Sequence, residues 1–279
     1  MKILFYGNCQ PWAVSELIRH SDVEIKYIQC YSTLLTKKQF DAQIKSADII
    51  ITQPIRENFR NKEYLSTDYV IKNSNQNADV VVFPSLWAGN TYYFDAIADQ
   101  RVERASVTKL THKHLVDYAS SGGTDVSYFN ENFVKNKNLL TREQLESNAQ
   151  DVIGELRERE NEAISRYNAT FISASYFIED NWKNNLLFYS VNHGTLHMYQ
   201  YLAREICKIV GLGLDTIDVE KDPQSHCRLC PRMIVYSCLE NIVKFDVNKC
   251  LPPSLTLKGR PNVYRTEAYI GSILNILKE

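Results

Sequence analysis

The stretch Met1-Lys2-Ile3-Leu4-Phe5-Tyr6-Gly7-Asn8-Cys9-Gln10-Pro11-Trp12 reads as a strand that turns directly into a helix. Residues 2–6 form an apolar, β-favouring run, and Gly7 interrupts it. Pro11 suits the first turn of a helix, where its missing N–H has no intrahelical partner to lose. Residues 12–20 continue with helical spacing. Cys9 therefore stands where a strand becomes a helix, and there exposed backbone N–H groups and the helix dipole favour a thiolate. Such a thiolate is a ready nucleophile, and the N–H groups beside it can form an oxyanion hole. The alternative is that Cys9 is a small buried hydrophobe. The polar neighbours Asn8 and Gln10 weigh against that.

Outward from this start, strand and helix signals alternate. Residues 23–30, 48–52 and 79–83 read as further strands, and 13–20, 37–46 and 64–73 as helices. The runs Ile49-Ile-Ile and Val80-Val-Val are continuous rather than alternating, which marks strands covered on both faces. From about residue 95 to 167 the texture becomes polar and helix-favouring. Thr141 and Gln144 have capping-box spacing ahead of a long helix. The stretch reads as a helical subdomain, or lid, inserted over the sheet. Residues 186–191 restore the sheet pattern and end in Asn192-His193. A helix follows with Leu196, Tyr199, Leu202, Ala203, Ile206 and Val210 on one face, stopped at Gly211. Residues 268–277 read as a terminal helix. The expected fold is α/β: a parallel sheet flanked by helices, a flavodoxin-like three-layer core with an inserted helical subdomain. Residues 1–94 and 181–279 would form one composite domain around the insertion at 95–180.

Composition narrows the function classes. The chain has 279 residues, with 32 basic against 33 acidic side chains, so neither general nucleic-acid binding nor a polybasic membrane anchor is indicated. The opening apolar run is too short for a secretory leader, and no stretch approaches a membrane span, so a cytoplasmic protein is expected. Seven cysteines without a secretory signal are expected to be mostly reduced. Tyrosine is abundant, as in a cleft that packs sugar or heterocycle faces, although tyrosine-rich cores do the same.

The apolar runs end alike, at Gly7-Asn8-Cys9, Thr52-Gln53, Pro84-Ser85 and Asn192-His193. Open parallel sheets bind ligands beyond the carboxyl ends of their strands. If all four runs are parallel strands, Cys9, Gln53, Ser85 and His193 converge on one rim. His193 at a helix start is either a packed side chain or a neutral imidazole fit for a general base. Asn192 would cap that helix, with His197 one turn further on. Asp95, Glu179 and Asp180 are the carboxylates open to orient His193. The run His226-Cys227-Arg-Leu-Cys230 holds a Cys-x-x-Cys, but Cys238 and Cys250 are spaced too widely to complete a zinc ribbon, and no metal is expected. No Walker loop, Gly-x-Gly-x-x-Gly or Gly-x-Ser-x-Gly is present, which disfavours kinases, nicotinamide enzymes and ordinary serine esterases.

Taken together, Gly7-Asn8-Cys9-Gln10, Thr52-Gln53-Pro54-Ile55, Phe59-Arg60, Phe83-Pro84-Ser85-Leu86, Ile172-Ser173 and Leu187 through His193 resemble the WcbI family. These are polysaccharide biosynthesis proteins assigned as acetyltransferases of bacterial capsule pathways. The resemblance covers residues 1 to about 210. It departs at Gly194, where the family pattern carries proline. It implies coenzyme A binding, with acetyl-CoA as substrate, and acetyl transfer to a sugar hydroxyl. Cys9 and His193 become the reactive pair, Asn8, Gln10 and Gln53 line the site, and Arg60 meets a cofactor phosphate. The start is also similar to that of SGNH hydrolases, which carry an Asp three residues before the catalytic His. Ser190 occupies that place here.

The leading expectation is an acyl-CoA-dependent O-acetyltransferase acting on a glycan or nucleotide-sugar acceptor. An SGNH-like esterase or deacetylase, and a non-catalytic coenzyme A-binding subunit, are the alternatives. Acceptor, acyl group and oligomeric state stay open.

Overall fold

A computed structural model describes residues 1–31, 35–106, 109–218, 232–258 and 262–278. His226, Cys227 and Cys230 lie outside the described residues. The chain divides into two compact units: Met1–Leu86 with Glu155–Phe177 and Leu196–Pro223, and Trp87–Gly154 with Ile178–Thr195 and Gln224–Glu279.

The first unit begins with β1 (Lys2–Gly7), α1 (Cys9–Ser15), β2 (Glu24–Gln29), α2 (Lys37–Ser46), β3 (Ile49–Thr52), α3 (Thr67–Asn73) and β4 (Asp79–Val82). Every strand pairing is parallel, with Tyr6 opposite Thr52 and Thr52 opposite Val82. Side chains alternate across the sheet. Leu4, Tyr6 and Ile50 pack on one face with Phe40 and Ile44 of α2 and Val70 of α3. Ile3, Phe5 and Ile51 are equally buried. Helix α1 starts earlier than its periodicity predicts and stops sooner, because Asn8 caps it and Ile18 leaves to bridge Ile217.

The second unit opens with β5 (Ala96–Ala98), α4 (Gln100–Ala105), β6 (Leu110–His112), α5 (Lys113–Ser120) and α6 (Val126–Phe129). The region read as wholly helical thus also contains an antiparallel ribbon, β5 with β6. Next comes α7 (Arg142–Arg166), opened by the expected capping box: the Thr141 N–H donates to Gln144 Oε1 at 2.8 Å.

One sequence expectation is overturned. The fifth strand of the parallel sheet is β7 (Thr170–Phe171), which pairs with β4 and completes the order β2-β1-β3-β4-β7. Residues 186–191 do not join it. After α8 (Ser175–Asn181), β8 (Phe188–Ser190) pairs antiparallel with β9 (His193–Gly194) in a separate ribbon. An apolar run has no intrinsic preference between a sheet and a ribbon; the backbone partners within reach decide. In the first unit α9 (Leu196–Val210) packs on α1 and ends at Gly211, whose φ is +73°. The second unit closes with α10 (Thr266–Lys278). Among the described residues, no helix is long and apolar enough to cross a membrane.

The second unit is built around a buried carboxylate. Asp95 accepts from His112 Nδ1, His114 Nδ1 and the Tyr236 hydroxyl, each at 2.8 Å, and so ties together three separate stretches of chain. The Ile234 N–H donates to His112 Nε2 at 3.0 Å, which assigns that ring the neutral Nδ1–H form. Burial works to raise the Asp95 carboxyl, but the hydrogen bonds from His112, His114 and Tyr236 outweigh it and hold the group well below the usual carboxylate range. Replacing Asp95 with Asn turns an acceptor of four donors, the His114 N–H at 3.3 Å included, into an amide whose NH2 faces some of them. The expected loss is about 3–5 kcal/mol of unfolding free energy, read from urea denaturation. A midpoint equal to the parent's would mean the carboxylate is not the organising group.

Candidate active site

The strand order β2-β1-β3-β4-β7 reverses direction between β1 and β3, and ligands of such sheets sit beyond the carboxyl ends at that switch point. There Gly7 ends β1, Asn8 caps α1 and Cys9 is the first helical residue. The Asn8 side chain accepts from the Gln10 N–H at 2.8 Å, which aligns the turn carrying the thiol. Cys9 is half-buried, and the Tyr31 side chain hydrogen-bonds to it. Burial pushes the Tyr31 phenol up to about 12, with the nearby Cys9 adding to the shift, so Tyr31 stays protonated beside the thiol.

Beneath this turn lies a lattice of buried amides. Gln10 and Gln53 are 0 % and 2 % exposed, so their polar groups must find partners within the protein. Gln53 Nε2 donates to Gln10 Oε1 at 2.6 Å and to the Pro84 carbonyl at 3.4 Å, while Gln53 Oε1 accepts the Asn8 N–H at 3.2 Å. Gln10 Oε1 also accepts the Leu86 N–H at 2.9 Å. The loops after β1, β3 and β4 are thereby locked together. Gly7 allows this, since a Cβ there would lie 2.8 Å from both Gln53 Oε1 and Pro11 Cγ. Asn8 Nδ2 approaches Ser85 Oγ at 3.5 Å. A cavity of about 370 Å³ opens over this floor, lined by Asn8, Cys30, Tyr31, Gln53, Phe59 and Ser85 among others.

Asn8, Cys9, Gln10, Gln53 and Ser85 are thus brought together as the strand-end argument expects. Arg60 is exposed, in a left-handed turn, with its guanidinium on the Tyr31 carbonyl, and it lines neither this cavity nor the adjoining one. Arg56, which the sequence does not distinguish from any other surface arginine, lines both.

His193 belongs to the second unit. Its Nδ1 lies 2.8 Å from Ser190 Oγ across the β8–β9 turn. Among the described residues no carboxylate orients the ring: Ser190 does so, and Asp95 is committed to His112, His114 and Tyr236. Ser190 could have been identified from its position three residues ahead of His193. Asn192 does not cap α9, which begins only at Leu196; it lies in the turn between the two short strands. A hydroxyl contributes no negative charge, so nothing offsets the desolvation of the imidazolium, and burial lowers its pKa to about 4. In the tautomer whose Nδ1–H donates to Ser190 Oγ, Nε2 is the nitrogen that can accept a proton. Gly89 packs against this ribbon: its N–H donates to the Val191 carbonyl at 2.8 Å, and a Cβ would fall 2.1 Å from the Ser190 carbonyl oxygen.

The family model for the polysaccharide biosynthesis enzyme WcbI matches residues 2–215. The chain belongs to the WcbI family. Its fold is that of a solved structure of WcbI, with a TM-score of 0.76 at 15 % identity over 99 % of this chain and 89 % of that one. That structure is described as a novel polysaccharide biosynthesis enzyme, in its native form without a disulfide between coenzyme A and a cysteine. No curated protein matches the chain. The family match ends at residue 215, so residues 216–279 lie beyond it.

An NMR titration of the His193 ring is expected to show a midpoint near 4, whereas a midpoint near the ordinary ~6.5 would contradict its burial. Because the folded-state pKa lies below the unfolded one, this residue's contribution to stability is complete above about pH 6.5 and is lost as pH falls towards 4. Gly89→Ala is expected to cost about 1–3 kcal/mol and to move the midpoint upward as the ribbon opens.

Proposed function

We propose that the chain is an O-acetyltransferase that moves an acetyl group from acetyl-CoA to a sugar hydroxyl in the biosynthesis of a surface polysaccharide. The observation that carries this reading is the half-buried Cys9 thiol at the switch point of the sheet, beside a ligand-sized cavity with an amide-lined floor. Membership of a polysaccharide biosynthesis family supports it, as does the mention of coenzyme A and a cysteine for the solved WcbI structure. A cysteine able to pair with the coenzyme's sulfur is also placed to meet its thioester.

In the reaction, the Cys9 thiolate attacks the acetyl carbonyl and the coenzyme leaves as its thiolate. The acceptor hydroxyl then attacks the acetyl-cysteine, a general base takes the hydroxyl proton, and the Cys9 thiolate is released. Both steps conserve an acyl bond, and the first exchanges one thioester for another, so no further energy source is required. Neutral His193 suits the base, since its depressed pKa keeps it unprotonated across the neutral range. The esterase reading has less support, because a serine rather than a carboxylate faces His193.

The test is incubation with acetyl-CoA followed by mass spectrometry of the intact protein and its peptides. An acetyl group on Cys9, discharged on adding a glycan acceptor, is the expected result. Cys9→Ser should lower turnover by about 100-fold or more, and near-full turnover in that variant would rule out the covalent route. Coenzyme A binding without transfer to any acceptor would favour a binding subunit. Release of acetate from an acetylated glycan with no coenzyme present would favour a hydrolase.

A further inference from the structure

A cavity of about 470 Å³ lies within the second unit, between the end of α4 and the last turns of α10. Arg101, Arg104 and Lys258 bring three cations to its lining, and among the described residues no carboxylate lines it. The three charges are used differently. Arg101 donates its Nε and Nη2 to the Asp99 carboxylate at 3.2 and 2.8 Å, and its Nη1 to the Leu277 carbonyl at 3.1 Å. It is therefore neutralised, and it pins the start of α4 to the end of α10. Lys258 donates its Nζ to the Glu103 backbone carbonyl at 2.7 Å, a neutral acceptor that leaves the ammonium its charge and two further N–H groups. Arg104 is exposed, and among the described residues no hydrogen bond or ion pair engages its guanidinium. The side chains of Ser272 and Asn275, three positions apart on α10 and so on one face, also line the cavity and are likewise unengaged.

We propose that this cavity binds a nucleoside diphosphate, with Arg104 and Lys258 on its phosphates and the apolar side formed by Leu257 and Ile276 against its nucleoside. Two cations that share one cavity and meet no carboxylate there favour an anion between them. A guanidinium fork matches a pair of phosphate oxygens, and the ammonium adds a point charge with donors of its own. The Ser272 hydroxyl and the Asn275 amide can donate to the remaining oxygens or to a ribose hydroxyl. A carboxylate alone would leave most of these donors unused, and a phosphate ion alone would leave the apolar side uncovered; the volume is that of a site for a small organic ligand. Leu257, Lys258, Ser272 and Asn275 all follow residue 215, where the family match ends, so the WcbI pattern does not contain them. The inference uses no part of the Cys9 site and does not depend on acetyl transfer.

Binding of UDP, ADP, uridine, inorganic phosphate and coenzyme A is measured by calorimetry on the parent protein and on Arg104→Gln and Lys258→Gln. Arg104 is exposed and holds no other group, so its variant is expected to melt with the parent and decides the question alone if Lys258→Gln, which loses the Glu103 contact, unfolds. The expected result is that UDP or ADP binds the parent and weakens about tenfold in each folded variant, while coenzyme A keeps its parent affinity. Uridine, which has no phosphate, is expected to show no difference between parent and variants. Absence of UDP and ADP binding to the parent, or parent-like affinity for both in Arg104→Gln, would overturn the inference. Inorganic phosphate bound as tightly as UDP, and weakened by the same substitutions, would overturn the nucleotide assignment. A loss of coenzyme A affinity in the variants, with no binding of UDP or ADP, would overturn it by giving the cavity to the coenzyme.

Discussion

The Gln53 side chain is the constraint on which the first unit's site depends. A buried amide has two donors and two acceptor sites, and each one left unmet in the interior costs about 1–3 kcal/mol. Gln53 meets that demand by spanning three loops, reaching the Asn8 N–H, Gln10 Oε1 and the Pro84 carbonyl. Its own backbone carbonyl accepts the Thr67 hydroxyl at 2.6 Å, which fixes the chain leaving β3. The thiol-bearing turn therefore follows the end of β3 rather than moving independently. Parallel pairing aligns the three strand ends, and the amide lattice converts that alignment into a rigid floor.

Around His193 the governing quantity is desolvation instead. An imidazole facing a carboxylate gains a counter-charge that favours its protonated form, whereas one facing a hydroxyl gains only orientation. Ser190 therefore fixes the ring while leaving it neutral. In the same unit the buried Asp95 carboxylate is taken up by His112, His114 and Tyr236, and serves to join β6, α5 and the segment around Tyr236. Two histidine environments thus arise within one unit, one organised by a buried charge and the other by its exclusion.

The positive charge of the first unit is also unevenly used. Arg166 is neutralised by Glu57 and Asp68 and acts as part of a wall. Arg56, at the junction of two cavities, is not. An arginine's role is set by whether a carboxylate reaches it, and residues brought from far along the chain decide that: Arg166 meets Asp68, which is 98 positions away.

What the sequence determined by itself was the local grammar of the sheet. The apolar runs that became β1, β3 and β4, Gly7 and Asn8 at the first strand-to-helix turn, the capping box before α7 and the Gly211 stop all follow from short-range sterics and hydrogen bonding, which a few neighbouring residues contain. The polar strand ends at Asn8, Cys9, Gln53 and Ser85 were legible for the same reason. Tertiary structure alone decided which apolar segment completed the sheet, giving the place to the two residues Thr170–Phe171 and diverting Phe188–Ser190 into its own ribbon. It also chose Ser190 over three available carboxylates as the partner of His193, and Arg56 over Arg60 as the arginine that lines the cavities. Those outcomes depend on backbone partners, burial and charges contributed by distant residues; only the three-residue spacing of Ser190 and His193 leaves a local trace.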